Sequence, residues 1–412
     1  MNSSAVIYHP SERKIAVLLG ALAAFAPLAI DLYLPALPTI AASLNATTDL
    51  VQMSVTLFLA GFVLGMLFSG PVSDRVGRRN VLFLGIVLFA LSSVACMSAS
   101  SIDQLIAARF IQALGAGAVS VLSRAVARDV FPGPRAIPVF SLIAMVSAIA
   151  PLVAPLTGSG LMVLFGWRGT FGALAVWALF GAFIVWTRVP ESLPPERRVQ
   201  TSMSAVFAVY RRLIGDSTAI GVLLAGGASF AGMFAYITAG PFYFIELNGF
   251  APAQYSIVFA ANAFGIFLAN YLNRQRSAKR GPEAMMRLGS RVALFGALGL
   301  IAATLLHAGT WLVICALFAV VSMTGLLGAN GVGLLMARYP DNTGACAALF
   351  GAAQFGLDAL ASMAVSLMHD GSGRPMAIVI VVAASTSVLG QMVYRKNALR
   401  GVADECNRQI RI

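Results

Sequence analysis

Apolar residues run through this chain in long blocks separated by short charged stretches. Twelve blocks reach helix-spanning length, near residues 14–36, 49–72, 80–99, 102–124, 136–160, 166–187, 218–239, 252–273, 286–306, 311–333, 344–368 and 374–394. A helix of about 20 apolar residues crosses a bilayer core of about 30 Å, and it satisfies its own backbone polar groups where no water is present. A longer polar stretch, 188–216, holds Pro190, Pro194, Pro195 and the Glu196–Arg197 pair, and it divides the blocks six and six. The pattern predicts an all-α membrane protein, twelve transmembrane helices in two six-helix pseudo-symmetric halves. Its expected parts are an N-terminal half (1–187), a linker (188–216), a C-terminal half (217–395) and a tail (396–412). Two similar halves joined by one linker suit a transporter that rocks about a central site, although a receptor or a channel subunit has the same composition.

Composition sharpens the class. Of 412 residues, 59% are hydrophobic and 11% charged, with mean hydropathy +0.84; a soluble domain carries about 25% charged residues. The net charge of +12 follows the topology. Lys14, Arg75, Arg78, Arg79, Arg135, Arg188, Arg211, Arg212, Arg338 and Arg411 fall in the tails, in the loops after even-numbered spans or at the edges of those loops, while the opposite loops hold only Arg168 and Arg374. The positive-inside rule then puts both termini in the cytoplasm of a multi-pass protein of the cytoplasmic (inner) membrane. Basicity is accounted for by orientation and by anionic membrane lipid, so no nucleic acid is expected as partner. Cys96, Cys315, Cys346 and Cys406 lack the spacing of a metal or redox motif. No metal site and no cofactor are expected. The chain has no G-x-x-x-x-G-K-[ST] loop, no H-E-x-x-H, no G-x-S-x-G and only three histidines. It therefore does not read as an enzyme or an ATPase, and no catalytic residue is assigned.

Three of the charges that fall within the apolar spans stand out. Asp31 sits in the second half of the first, where an ionised carboxylate costs roughly 2.5–3.5 kcal/mol unless it faces water or a cation. Arg109 lies in the fourth span with Gln112 one turn along; its guanidinium stays charged and needs a partner, or snorkels to the head groups. Asp358 is near the middle of the eleventh span, with Gln354 one turn before it. Asp358 has three open roles: a second proton site, a contact for a cationic substrate, or the partner of Arg109. We take Asp31, Arg109 and Asp358 as proton-coupling candidates. Gln112, Tyr236, Asn262 and Gln354 are candidates for a substrate cavity, because polar groups and amphipathic rings in spans face cavities or other helices.

The loop after the second span reads GPVSDRVGRRNVL from Gly70 to Leu82. Gly70 and Gly77 allow close approach and a tight turn, Asp74 can face the positive end of a neighbouring helix, and Arg75, Arg78 and Arg79 supply donors. This loop resembles the G-x-x-x-D-[RK]-x-G-[RK]-[RK] signature of the major facilitator superfamily. The resemblance implies a gating loop that locks the cytoplasmic side against the eleventh span. RFIQALGAGA, from Arg109, is similar to the family's R-x-x-Q-G-x-G-A segment, where the arginine is linked to proton coupling. APLVAPLTGSG in the fifth span contains Pro151, Pro155, Gly158 and Gly160, which suit a bent, closely packed hinge helix. It resembles the antiporter signature written around G-P-x-x-G-G, with Ala154 in place of the glycine before proline and Ser159 between the last glycines. DLYLPALP, from Asp31, and PESLPPE, from Pro190, resemble the bicyclomycin and chloramphenicol resistance branch.

Over nearly the whole chain, the resemblance implies a monomeric drug/proton antiporter: a multidrug efflux protein that exchanges small-molecule substrates for protons by alternating access and confers antibiotic resistance. Proton-coupled uptake of a nucleoside, amino acid or sugar is the alternative within transporters. A membrane sensor without transport is the alternative outside them.

Overall fold

The computed structural model describes residues 10–131, 136–198, 203–340 and 343–410; Arg135 and Arg411, counted above among the basic residues, lie outside them. The described residues form helices with no strand. In order these are α1 (Pro10–Ala23), α2 (Phe25–Asp31), α3 (Leu37–Ser43), α4 (Thr48–Val76), α5 (Arg78–Met97), α6 (Ile102–Val130) and α7 (Ala136–Arg188). They continue with α8 (Met203–Gly215), α9 (Ser217–Pro241), α10 (Pro252–Arg280), α11 (Pro282–Leu305), α12 (Thr310–Arg338), α13 (Thr343–Leu367) and α14 (Arg374–Ile410).

Eleven apolar helical stretches among the described residues are long enough to cross a membrane. One of them, Pro138–Arg188, has 51 residues, about 77 Å of helix and more than twice a bilayer core. It turns at Gly166, where φ is 65° and ψ is −178°, a conformation open to glycine and strained for other residues. It therefore holds two passes, and the spans number twelve. The turn lies where the sequence reading separated the blocks 136–160 and 166–187; the bend expected at Pro151 and Pro155 is a separate feature within the first of these two passes. Gly166 is the only non-helical residue inside α7, so the helix runs through both prolines.

The first span also differs from the continuous block 14–36. It breaks after Ala23 and again after Asp31, and passes through a 3-10 turn (Leu34–Ala36) before α3. Pro27, Pro35 and Pro38 have no N–H to offer the carbonyls of Ala23, Asp31 and Leu34, so the helical ladder cannot close at these places. Beyond the expected limits, α14 continues to Ile410 and the polar linker contains α8.

The contacts divide the chain into two compact units, Met1–Thr201 with Ala251–Ala260, and Ser202–Phe250 with Ala261–Ile412. In the first, α6 packs on α4 and α5, and α7 packs on α1, α2 and α5. Gly115 and Gly117 let α6 come close: a Cβ on Gly115 would meet the Phe89 backbone nitrogen at 2.9 Å, and one on Gly117 the Met66 nitrogen at 2.8 Å. In the second, α9 packs on α12, α13 and α14, and α11 packs on α12 and α14. The two units repeat one backbone punctuation. Gly77 (φ 106°, ψ 149°) separates α4 from α5, and Gly281 (φ 78°, ψ 154°) separates α10 from α11. Likewise α6 ends at Phe131 (φ −117°, ψ 78°) and α12 at Tyr339 (φ −126°, ψ 68°).

Candidate functional site

Arg109 is fully buried, and five elements converge on it. Its Nη1 donates to Gln112 Oε1 at 2.5 Å, Gln112 Nε2 donates to Ser93 Oγ at 2.7 Å, and Ser93 donates on to the Phe89 carbonyl at 2.6 Å. The guanidinium carbon lies 4.1 Å from the ring centre of Phe58, 4.2 Å from Tyr33 and 5.8 Å from Phe171. Tyr33 comes from the broken first span, Phe58 from α4, Ser93 from α5, Gln112 from α6 and Phe171 from α7. Among the described residues Arg109 forms no ion pair, and its Nε and Nη2 have no hydrogen-bond partner. Three aromatic faces offset its charge, each contributing about 2 kcal/mol or more when desolvated. Snorkelling is thereby replaced by an aromatic cage in which two donors stay unspent.

Asp31 is 4% exposed and forms no ion pair among the described residues. It closes α2, two residues before Tyr33 of the cage. On its other flank, Gly158 of α7 lies against the Leu32 carbonyl, so close that a Cβ at position 158 would overlap that oxygen. The antiporter-like segment thus packs on the residue that follows Asp31. Gly160 has open space where its Cβ would be, so the close packing expected of it is absent. Along the same helix, Ser256 Oγ donates to the Pro155 carbonyl at 3.0 Å and lies 2.7 Å from Ser159 Oγ, tying the start of α10 to α7 within the first unit.

In the expected gating loop, Asp74 pairs with Arg78, four residues on, at 2.6 Å. The carboxylate at the N-terminus of α5 is that of Glu191, which accepts from the Arg78 and Arg79 amides at 2.8 and 3.2 Å. There it satisfies orphan donors and complements the helix dipole. Arg78 also donates to Ser73 Oγ at 2.6 Å and Asp129 Oδ2 at 3.2 Å, and Arg79 donates to the Trp186 carbonyl at 2.7 Å. Gly70 has only a Val121 methyl near its would-be Cβ, at 4.0 Å. Arg75 is exposed.

In the second unit, Asp358 is fully buried on α13, and neither carboxylate oxygen has a hydrogen-bond partner among the described residues. Asp358 forms no ion pair among the described residues of its own unit. Asn262 is 3% exposed with both amide atoms unpartnered. Tyr236 is buried with its ring edge-on to Phe244 at 6.5 Å, and Gln354 is half-buried. One turn past Asp358, Ser362 meets Thr238 of α9 at 2.8 Å. At the end of this unit, Asp216 caps α9 through the Thr218 amide at 2.7 Å, takes Arg338 Nε at 3.0 Å and accepts from the Tyr339 hydroxyl. Burial pushes the Asp216 carboxyl up, but hydrogen bonds from Tyr339, Thr218 and Arg338 outweigh it and hold the group at about 2.

The structure thus brings Arg109 and Gln112 together, and keeps Asp31 and Asp358 buried, neither in an ion pair among the described residues. Sequence reasoning missed Tyr33, Ser93, Asp129, Glu191 and Asp216. Glu191 had a signal in the PESLPPE stretch, and Tyr33 one in DLYLPALP; Ser93 and Asp129 had none.

The family model "Major Facilitator Superfamily" matches residues 19–391. The chain is 32% identical over 394 residues to an uncharacterized MFS-type transporter, YdgK, of Bacillus subtilis, covering 94% of this chain and 97% of that one. It is 29% identical over 371 residues to a bicyclomycin resistance protein homolog of Haemophilus influenzae, covering 90% and 93%. It is 32% identical over 241 residues to multidrug resistance protein MdtL of Salmonella typhi, covering 58% and 60%. Among solved structures, a D-xylose-proton symporter superposes with TM-score 0.72 at 19% identity, over 92% of this chain and 96% of that one.

Proposed function

Because the chain belongs to the major facilitator superfamily, and is therefore a multi-pass membrane transporter of small molecules and not an enzyme, we propose that it exports drug-like compounds in exchange for protons. The observation that carries this reading is Asp31, a buried carboxyl group without a cationic partner, at a break in a spanning helix. An ionised carboxylate is costly there, so the group is stable as the neutral acid until water or a cationic substrate reaches it. Broken helices are where ions and substrates bind in many transporters, because unwound backbone can line a cavity. Gain or loss of a proton at Asp31 acts on a joint that touches both Gly158 of α7 and, through Tyr33, the Arg109 cage. The names of two relatives, a bicyclomycin resistance protein homolog and a multidrug resistance protein, support export of drugs.

In this scheme the protein works as a monomer in the inner membrane, with both termini cytoplasmic, and its two halves alternate access to one cavity. Asp31 and Arg109 carry proton coupling, and Asp358 receives the charge of a cationic substrate; Gln112, Tyr236, Asn262 and Gln354 line the cavity; the Gly70–Arg79 loop gates it. One proton moving down about 100 mV supplies roughly 2.3 kcal/mol, enough for about a fifty-fold gradient of a neutral substrate.

The test uses inside-out vesicles carrying a set proton gradient, with candidate drugs and nucleosides added. Substrate-evoked collapse of the gradient that disappears in Asp31→Asn is expected. Normal collapse in that variant removes Asp31 from the mechanism, and silence toward every drug alongside a response to nucleosides favours uptake.

A further inference from the structure

One cavity belongs to neither the Arg109 cage nor the surroundings of Asp358. It is a groove on the first unit between α1 and the C-terminal part of α7, with a volume of about 810 Å³, within the range of about 300–1,000 Å³ usual for ligand sites. Its walls are apolar, and Val17, Phe180 and Phe183 are 57%, 60% and 65% exposed. The floor is the packed seam of the two helices: a Cβ on Gly181 would rest 3.4 Å from both Leu22 and Phe25.

Charge is confined to one end. Lys14 opens the groove on α1 and Arg188 closes it on α7; both are exposed, and neither forms an ion pair among the described residues. Because α1 starts the first pass and α7 ends the sixth, these two cations share one membrane face. The opposite end is formed by Phe25, at the start of α2, and Trp177 of α7, each eleven residues along the chain from the cation on its side. At 1.5 Å per residue the groove is about 16 Å deep, close to half of a bilayer core of about 30 Å.

We propose that this groove binds one anionic glycerophospholipid from the leaflet on the Lys14 side. Its phosphate lies against Lys14 and Arg188, and an acyl chain runs along Val17, Phe180 and Phe183 toward Trp177. A slot one leaflet deep fits a single acyl chain. Nothing else charged lines it, so a sugar or peptide would leave its polar groups unpaired. The two cations select an anionic head group over a zwitterionic one. Each basic residue near the membrane surface favours anionic lipid by about five-fold, so the pair accounts for about thirty-fold.

The experiment uses the full chain in detergent, titrated with phosphatidylglycerol or with phosphatidylcholine of the same acyl chains, and reads bound lipid by native mass spectrometry. One tightly retained phosphatidylglycerol, preferred at least ten-fold over phosphatidylcholine, is expected. Lys14→Gln with Arg188→Gln brings the preference close to one, whereas Arg211→Gln with Arg212→Gln, an exposed pair elsewhere, leaves it in place. Glycerol phosphate, which lacks acyl chains, does not compete. Equal binding of the two lipids by the unaltered protein overturns the proposal. So does a preference that survives loss of Lys14 and Arg188, an equal loss in the control pair, or competition by glycerol phosphate.

Discussion

Gly158→Ala places a methyl group on the backbone oxygen of Leu32, the residue after Asp31. A flexible side chain could swing away from such a contact, but a main-chain carbonyl moves only with its helix, so overpacking falls at the upper end of about 1–3 kcal/mol. The better helix propensity of alanine returns about 1 kcal/mol. The net loss is therefore about 2 kcal/mol, relieved by pushing the Asp31 joint away from α7. Gly160→Ala is the internal control: nothing lies within 4 Å of its added methyl, so only the propensity gain remains. Thermal unfolding of both variants in one detergent should show Gly158→Ala melting lower than the parent protein and Gly160→Ala at or above it. In the vesicle assay, proton exchange by Gly158→Ala should fall by about ten-fold or more while Gly160→Ala stays near normal. Equal effects of the two substitutions would refute the reasoning, since they share helix, chemistry and sequence neighbourhood and differ only in what the methyl meets.

Three further outcomes follow from the geometry. Asp358→Asn keeps the buried shape but removes the charge, so transport of cationic substrates should fall while that of neutral ones persists; equal transport of both by the variant would separate Asp358 from recognition. Gly77→Ala forces a side chain into φ 106° and against Arg198 Nη2 at 3.0 Å, beside the Glu191 cap. Backbone strain of about 1–3 kcal/mol should lower the melting temperature by several degrees, and an unchanged melt would contradict this account of the loop. The carboxyl of Asp216 is held at about 2, below its ordinary 3.8. A depressed acid contributes stability that is complete above the unfolded value and is lost as pH falls through the folded one. The stability difference between the parent protein and Asp216→Asn should thus be constant above about pH 4 and vanish toward pH 2; a difference that grows on acidification would reverse the sign assigned here.

Much of the first unit's site was legible before any coordinates. The buried charges stood out because Asp, Arg and apolar runs are incompatible unless something compensates them, and the loop and antiporter-like segments carried family resemblance in their glycines. What compensates Arg109 was not legible. The sequence reading left its partner open, whereas the structure supplies rings from three distant segments and a Gln112–Ser93 relay. The same holds for the start of α5, whose first amides are capped by Glu191, more than a hundred residues away in the sequence.

Hydropathy alone determined that the chain crosses a membrane as helices, and roughly where, because lipid leaves an apolar segment of that length no other way to satisfy its backbone. The breaks in the first span were not foreseen, although Pro27, Pro35 and Pro38 carry their local cause in a missing N–H. Tertiary structure decided the rest: that α7 keeps helical backbone angles through Pro151 and Pro155, that Gly158 touches Leu32 while Gly160 has open space beside it, that Arg109 is caged, and that the Asp358 carboxyl has no hydrogen-bond partner among the described residues. These depend on which atoms arrive from other helices, and close packing between helices is a property of surfaces in contact, which no single stretch of sequence contains.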